Sequence, residues 1–109
     1  MAQLLTEQNF DELVLKSHKP AFIEFFASWC GPCKMLSPII DELAEEYKDK
    51  DVIVAKINVD DNNQIASKYG VMSIPAMLFF TRDGDIAHTM AGVQRKEKIR
   101  EKIDELLVA

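Results

Sequence analysis

The chain has 109 residues, of which 48% are hydrophobic and 28% charged, with four glycines and four prolines. This composition is typical of one globular domain over residues 1–109 and excludes low-complexity and disordered chains. The 18 acidic and 13 basic residues give a net charge of −5, which argues against a nucleic-acid partner, because phosphate contacts require concentrated Lys and Arg.

The first half of the chain predicts a weak strand at the start, followed by a short amphipathic helix over about 7–17. Residues 21–27 are nearly continuously apolar, which is typical of a strand buried on both faces. Glu24, in the middle of this run, is the exception. A second helix is predicted over about 33–48, and Pro38 is expected to kink it.

The second half begins with another apolar run over 52–59, interrupted by Lys56 and Asn58, which we predict to be a central strand. A short helix then ends at Tyr69, with Gly70 placed to terminate it. Three elements complete the chain: a strand over 76–81, a hairpin at 82–85 with a returning strand over 86–90, and a helix whose apolar face carries Ile99, Ile103, Leu106 and Leu107.

This order of elements predicts an α/β fold in which a mixed, five-stranded sheet is flanked by four helices on its two faces. The strands that helices follow should be parallel and joined by right-handed connections. The closing hairpin should make the edge of the sheet antiparallel. The sequence shows neither an internal repeat nor a linker, so we expect a single domain.

The compartment is expected to be the cytoplasm. No run approaches the roughly 18 consecutive apolar residues of a membrane span, and the first 20 residues lack the apolar core of a signal peptide. We therefore expect no membrane partner. The only two cysteines are Cys30 and Cys33, and a disulfide between residues this close constrains the unfolded chain very little. Their proximity favours chemistry over a structural role.

The two cysteines lie where a buried strand ends and a helix begins, which puts both sulfurs within disulfide reach in the first helical turn. Helix N-termini favour a thiolate over a thiol. Cys30, expected to be the more exposed of the two, is therefore predicted to be the nucleophile. Cys33, one turn into the helix and shielded, is predicted to act second as the resolving thiol.

The cysteine pair could instead form a zinc half-site or two buried structural thiols. Zinc needs four ligands, and only His18 and His88 could complete the set. Neither histidine stands at ligand spacing, so no metal is expected and redox chemistry is favoured.

The chain resembles the thioredoxin family along nearly its whole length. The segments that carry the resemblance are FFASWCGPCKMLSP at 25–38, VAKINVD at 54–60, KYGVMSIP at 68–75, the Asp-Gly hairpin and Gly92. The WCGPCK motif is highly specific, and an Ile-Pro pair at the matching distance makes a chance match improbable. The resemblance implies the thioredoxin fold.

The resemblance also implies a function, that of a protein disulfide reductase. The Cys30 thiolate would attack a disulfide in a target protein, and Cys33 would resolve the mixed disulfide. A flavoprotein thioredoxin reductase using NADPH would restore the dithiol, so the chain itself would need no cofactor. A monomer that serves electron transport and cell redox homeostasis is expected.

Further site residues follow from the same resemblance. The family usually has a buried Asp at the position of Glu24, where it moves protons for Cys33, and Lys56 is expected to be the partner of Glu24 because a Lys in an apolar strand also needs one. The Ile74–Pro75 peptide bond is expected to be cis. The expected docking surface for targets consists of Trp29, Gly31, Pro32, Ile74, Pro75 and Gly92.

An alternative function of a different class is a redox-silent binding module that holds another protein on the same docking surface. An intact cysteine pair with an acid behind it favours the reductase, because a scaffold needs neither sulfur.

Overall fold

The central element of the computed structural model, which describes residues 2–109, is one five-stranded sheet with the strand order β1-β3-β2-β4-β5. The strands are β1 (Gln3–Leu5), β2 (Ala21–Phe26), β3 (Ile53–Asn58), β4 (Ala76–Phe80) and β5 (Ile86–Ala91). The helices are a short π-helix (Asp11–Leu15) and the α-helices α1 (Gly31–Glu46), α2 (Asn63–Lys68) and α3 (Lys96–Val108). The predicted α/β fold with a mixed sheet and four helices is confirmed.

The sheet is mixed because its two halves run in different directions. The three strands that helices follow, β1, β2 and β3, are parallel as predicted. The antiparallel part is larger than the predicted edge, since β4 pairs antiparallel with both β2 and β5. Ala76, the first residue of β4, is therefore aligned with Phe25 near the end of β2. This register brings the loop before β4 close to the loop after β2, which carries the cysteines.

Alternation along the buried strands separates two apolar cores. Ala21, Ile23 and Phe25 of β2 belong to a core that the π-helix and α2 cover. Phe22 of β2 belongs to the other core, under α1 and α3. Helices therefore cover both faces of the sheet, as predicted. Because side chains two residues apart share a face, Glu24 lies on the α1 side, beyond Phe22.

The predicted first helix differs most from the structure, where only Asp11–Leu15 is helical. Its hydrogen bonding has the π-helical spacing of five residues, since the Lys16 N–H donates to Asp11 O. At its start the Asn9 side chain accepts the Thr6 N–H, and at its end the Ser17 hydroxyl donates to Val14 O. These side chains compete with regular helical hydrogen bonds, so the α-helix predicted over 7–17 does not form.

The other boundaries deviate by one to a few residues. Helix α1 begins at Gly31 and ends at Glu46, two residues earlier at each end than predicted, and continues through Pro38. Gly70 ends α2 as predicted: its φ is +67°, and its N–H donates to Ser67 O.

Candidate active site

Cys30 and Cys33 form a disulfide at the start of α1, with their Cα atoms 5.2 Å apart. Cys30 is the residue immediately before the helix, and its Sγ accepts a hydrogen bond from the Cys33 N–H at 3.2 Å. Pro32 occupies the first turn, where its missing N–H removes no helical hydrogen bond. No acidic residue lies in this turn, and the side-chain acceptor at the helix start is the sulfur, which takes the Cys33 N–H.

The expected difference in exposure between the two cysteines is absent. Cys30 is 4% exposed and Cys33 is 3% exposed. Both are buried with Ala27, and the partly buried Phe26, Val59 and Ile74 pack against them. In the disulfide form, therefore, position on the helix distinguishes the two sulfurs and exposure does not.

Glu24 lies behind the cysteines with a side chain that is only 1% exposed. Its Oε2 atom is buried and accepts no hydrogen bond from any residue among 2–109. The carboxyl lines a cavity of about 220 Å³ that Cys33, Lys34, Ser37 and Lys56 also line. Burial raises the pKa of Glu24 to about 7, while the positive charge of Lys56 lowers it and the negative charge of Asp41 raises it further.

Lys56 is aligned with Glu24 on the neighbouring strand but does not form an ion pair with it. Its Nζ donates to Ser37 Oγ at 3.3 Å and lies 3.9 Å from Asp41 Oδ1. No ion pair of the described residues includes Glu24, so the direct pairing expected from the sequence is replaced by a longer-range electrostatic effect. The physical reason is that α1 offers Lys56 two oxygen atoms of its own.

The six residues expected to form the docking surface come from three segments that meet beside the disulfide. Trp29, Gly31 and Pro32 are exposed, Trp29 by 68%. The Ile74–Pro75 bond is cis, as expected, and Ile74 packs on the cysteines. The Gly92 N–H donates to Pro75 O at 2.8 Å, which ties the end of β5 to this loop.

Several residues at the site were missed in the sequence. Asp60 Oδ2 accepts the Trp29 indole N–H at 2.8 Å, and no local pattern links these two residues, which are 31 apart in the sequence. Met72 is almost fully exposed and lines a small groove with Trp29 and Ile74. Ser37 and Asp41 stand four residues apart on α1, and this spacing on one helix face is the only signal that could have linked them.

Metal-binding and membrane-spanning features are absent from the described part of the chain. Within residues 2–109, no group of three or more His, Cys, Asp or Glu side chains is placed to hold a metal ion. The same residues contain no helix that is both long and apolar enough to cross a membrane.

Comparison with known proteins gives consistent matches. A family model described as Thioredoxin matches residues 1–105. The thioredoxin of Chlorobaculum thiosulfatiphilum is 47% identical over 100 residues, which cover 92% of this chain and 91% of that protein. The thioredoxin of Rickettsia felis is 44% identical over 104 residues, covering 95% and 97%. The chloroplastic M-type thioredoxin of Pisum sativum is 41% identical over 105 residues, covering 96% and 60%.

Proposed function

The chain belongs to the thioredoxin family and is a thiol-disulfide oxidoreductase with protein-disulfide reductase activity, and we propose that Cys30 is its attacking thiol and Cys33 its resolving thiol. The observation that carries this assignment is the Cys30 sulfur at the start of α1, accepting the Cys33 N–H. Unpaired N–H groups and the helix dipole favour an anion at this position. A thiolate is the nucleophilic form of cysteine.

The reaction then has two steps. The Cys30 thiolate attacks one sulfur of a target disulfide, and the other target sulfur leaves as a thiolate and takes up a proton. Cys33 next loses its proton and attacks Cys30 Sγ, which breaks the bond to the target and releases the second target sulfur, also protonated. The target gains two electrons and two protons, and the protein is left with the Cys30–Cys33 disulfide.

Glu24 is assigned the role of proton acceptor for Cys33. Its side chain lines the same cavity as Cys33, and in this proposal the proton passes between them directly or through a water molecule in that cavity. A general base works best when its pKa is close to the working pH, and burial raises the pKa of Glu24 to about 7. Lys56 contributes a positive charge that limits this rise.

The docking surface for target proteins is assigned to Trp29, Gly31, Pro32, Ile74, Pro75 and Gly92. Exposed apolar area beside a reactive group is typical of a protein-binding site. The space beside the Cα atoms of Gly31 and Gly92 is open, since nothing lies within 4 Å of a Cβ atom added at either position. A target strand could therefore approach the disulfide closely.

The cycle also requires an external electron donor, because each turnover ends with the Cys30–Cys33 disulfide. The donor in this proposal is a flavoprotein thioredoxin reductase that uses NADPH. The protein would then act as a monomeric, single-domain carrier in electron transport and cell redox homeostasis, without a resident cofactor. The reducing cytoplasm is the compartment in which such a cycle can run.

Trapping of the mixed disulfide with insulin as the target tests this assignment, using the full chain with single serine substitutions. Cys33→Ser is expected to accumulate a covalent complex through Cys30 that persists until dithiothreitol is added. Cys30→Ser, the matched control, is expected to form no complex, and both variants should lose insulin reduction. A stable complex with Cys30→Ser and none with Cys33→Ser would reverse the two roles.

A further inference from the structure

The Lys56 ammonium group is held by three contacts, two of them to α1 and one to Phe26 at the end of β2. It donates to Ser37 Oγ at 3.3 Å, lies 3.9 Å from Asp41 Oδ1, and stands 5.5 Å from the centre of the Phe26 ring. Asp41 is itself fixed, because its Oδ1 accepts the Ala2 N–H at 3.0 Å. The Lys56 side chain is mostly buried, so these contacts replace much of its hydration.

Glu24 lies opposite Lys56 on the neighbouring strand, yet the two side chains form no ion pair with each other. The two residues are register partners on adjacent parallel strands, whose backbones are about 4.8 Å apart. Opposite charges attract strongly in a poorly hydrated interior, so a Lys beside a partnerless carboxyl is expected to pair with it. The competing oxygens of Ser37 and Asp41 explain why the ammonium group lies elsewhere.

We propose that Ser37 and Asp41 are positioning residues of the reductase reaction, which hold Lys56 away from Glu24 and so keep the Glu24 carboxyl free to accept the Cys33 proton. This inference rests on the proton-acceptor role proposed above for Glu24. The charged or titratable groups around Glu24 are Lys56 on β3 and Cys33, Lys34 and Asp41 on α1, while its register partner on β4 is the uncharged Met77.

The consequence of losing either positioning residue follows from the charges. Without the Ser37 hydroxyl or the Asp41 carboxylate, Lys56 is free to pair with Glu24. A direct ion pair favours the ionised carboxylate and lowers its pKa, which makes Glu24 a weaker base. The resolving step would slow, whereas the attack by Cys30, in which Glu24 takes no part, would not change.

Carboxyl titration by NMR tests the positioning itself. We expect the pKa of Glu24 in reduced full-length protein to fall by about one unit or more in Ser37→Ala. Ser37→Thr, which keeps a hydroxyl group, should leave the Glu24 pKa at its wild-type value. Asp41→Asn should lower it as well, but the loss of the Asp41 negative charge contributes directly to that fall, so Ser37→Ala is the deciding variant. An unchanged Glu24 pKa in Ser37→Ala would overturn the inference.

Stopped-flow reaction with Ellman's reagent tests the catalytic consequence, because the two released thionitrobenzoate ions report Cys30 attack and then Cys33 resolution. In Ser37→Ala the first phase should match wild type, and the inflection of the second phase should move to lower pH. In a Glu24→Gln background, Ser37→Ala should have no further effect. Separate effects of the two changes would contradict a role acting through Glu24.

The same experiment separates the inference from the function on which it rests. If Glu24→Gln resolves the mixed disulfide at the wild-type rate, the proton-acceptor role fails, and the catalytic part of the inference fails with it. If Glu24→Gln is slow but Ser37→Ala leaves both the titration and the rate profile unchanged, only the positioning role fails.

Discussion

Helices α1 and α2 both begin with backbone N–H groups that have no partner within the helix, and different atoms meet those groups. At α1 the acceptor is the Cys30 sulfur, which takes the Cys33 N–H. At α2 the acceptor comes from far away in the sequence: Glu7 Oε2 takes the N–H groups of Gln64 at 3.1 Å and Ile65 at 3.3 Å.

The difference separates stability from reactivity. A carboxylate at a helix start stabilises the fold and does no further chemistry. A sulfur in the same position forms a weaker cap, but as a thiolate it is a nucleophile. An acid is present near α1 as well, but Glu24 lies beneath the helix, with Oε2 accepting no hydrogen bond among residues 2–109. The start of α2 is thus stabilised by the Glu7 carboxylate. The start of α1 has a weaker cap, and the sulfur that forms this cap is the reactive group.

The largest expected effect concerns Glu24. Its pKa is raised from 4.5 to about 7 in the folded protein, so folding favours the protonated acid. The free energy of unfolding should therefore fall as pH rises from about 4.5 to about 7, by up to about 3 kcal/mol. Glu24→Leu removes this loss and should be more stable than wild type at neutral pH.

Urea unfolding between pH 4 and pH 8 measures this effect. The advantage of Glu24→Leu should grow across that range. Glu12→Leu is the control, because Glu12 is an exposed acid and its replacement should give no such growth. A pH-independent difference between Glu24→Leu and wild type would show that the acid is not strained by burial.

A smaller effect is expected when a carboxylate is placed at the start of α1, making it resemble α2. Lys34→Glu puts a negative charge in the first turn, where it repels a Cys30 thiolate. Alkylation of the reduced protein by iodoacetamide, a neutral reagent, should slow by up to about tenfold. Lys34→Gln separates the loss of the lysine from the gain of the carboxylate. Equal rates for the glutamate and glutamine variants would argue against control by local charge.

The smallest effect is expected at α2. Glu7→Ala removes the acceptor of two N–H groups and should lower the free energy of unfolding by about 1 kcal/mol, with Glu12→Ala as the exposed control. Cys30 alkylation and insulin reduction should keep their wild-type rates. If Glu7→Ala lost activity under conditions in which it is fully folded, the start of α2 would have to influence the reactivity of Cys30 at the start of α1.

The sequence was most informative where a feature depends on local pattern. The apolar runs at 21–27 and 52–59 predicted the central strands, and the break in the first run identified Glu24 as a buried acid. The cysteine spacing before a helix predicted their place at the start of α1. Each of these signals lies within a few residues, so the chain's periodicity and composition are enough to reveal it.

Other features depend on contacts between distant segments and have no local signal. Glu7 and Ile65 are 58 residues apart, so no local pattern links the Glu7 carboxylate to the start of α2. The direction of β4 is set by where its connection enters the sheet. Lys56 could pair with any acid that the fold brings near, and only the structure shows that it lies beside Ser37 and Asp41.

The central claim, that the start of α1 makes Cys30 the reactive thiol, is tested most directly by site-resolved alkylation of the reduced wild-type protein as a function of pH. Both cysteines fall in one tryptic peptide, so fragment ions must assign the label. We expect Cys30 to be labelled first, well below the ordinary thiol pKa of about 8.5. Labelling of Cys33 first, or of both cysteines together only near that pH, would contradict the account.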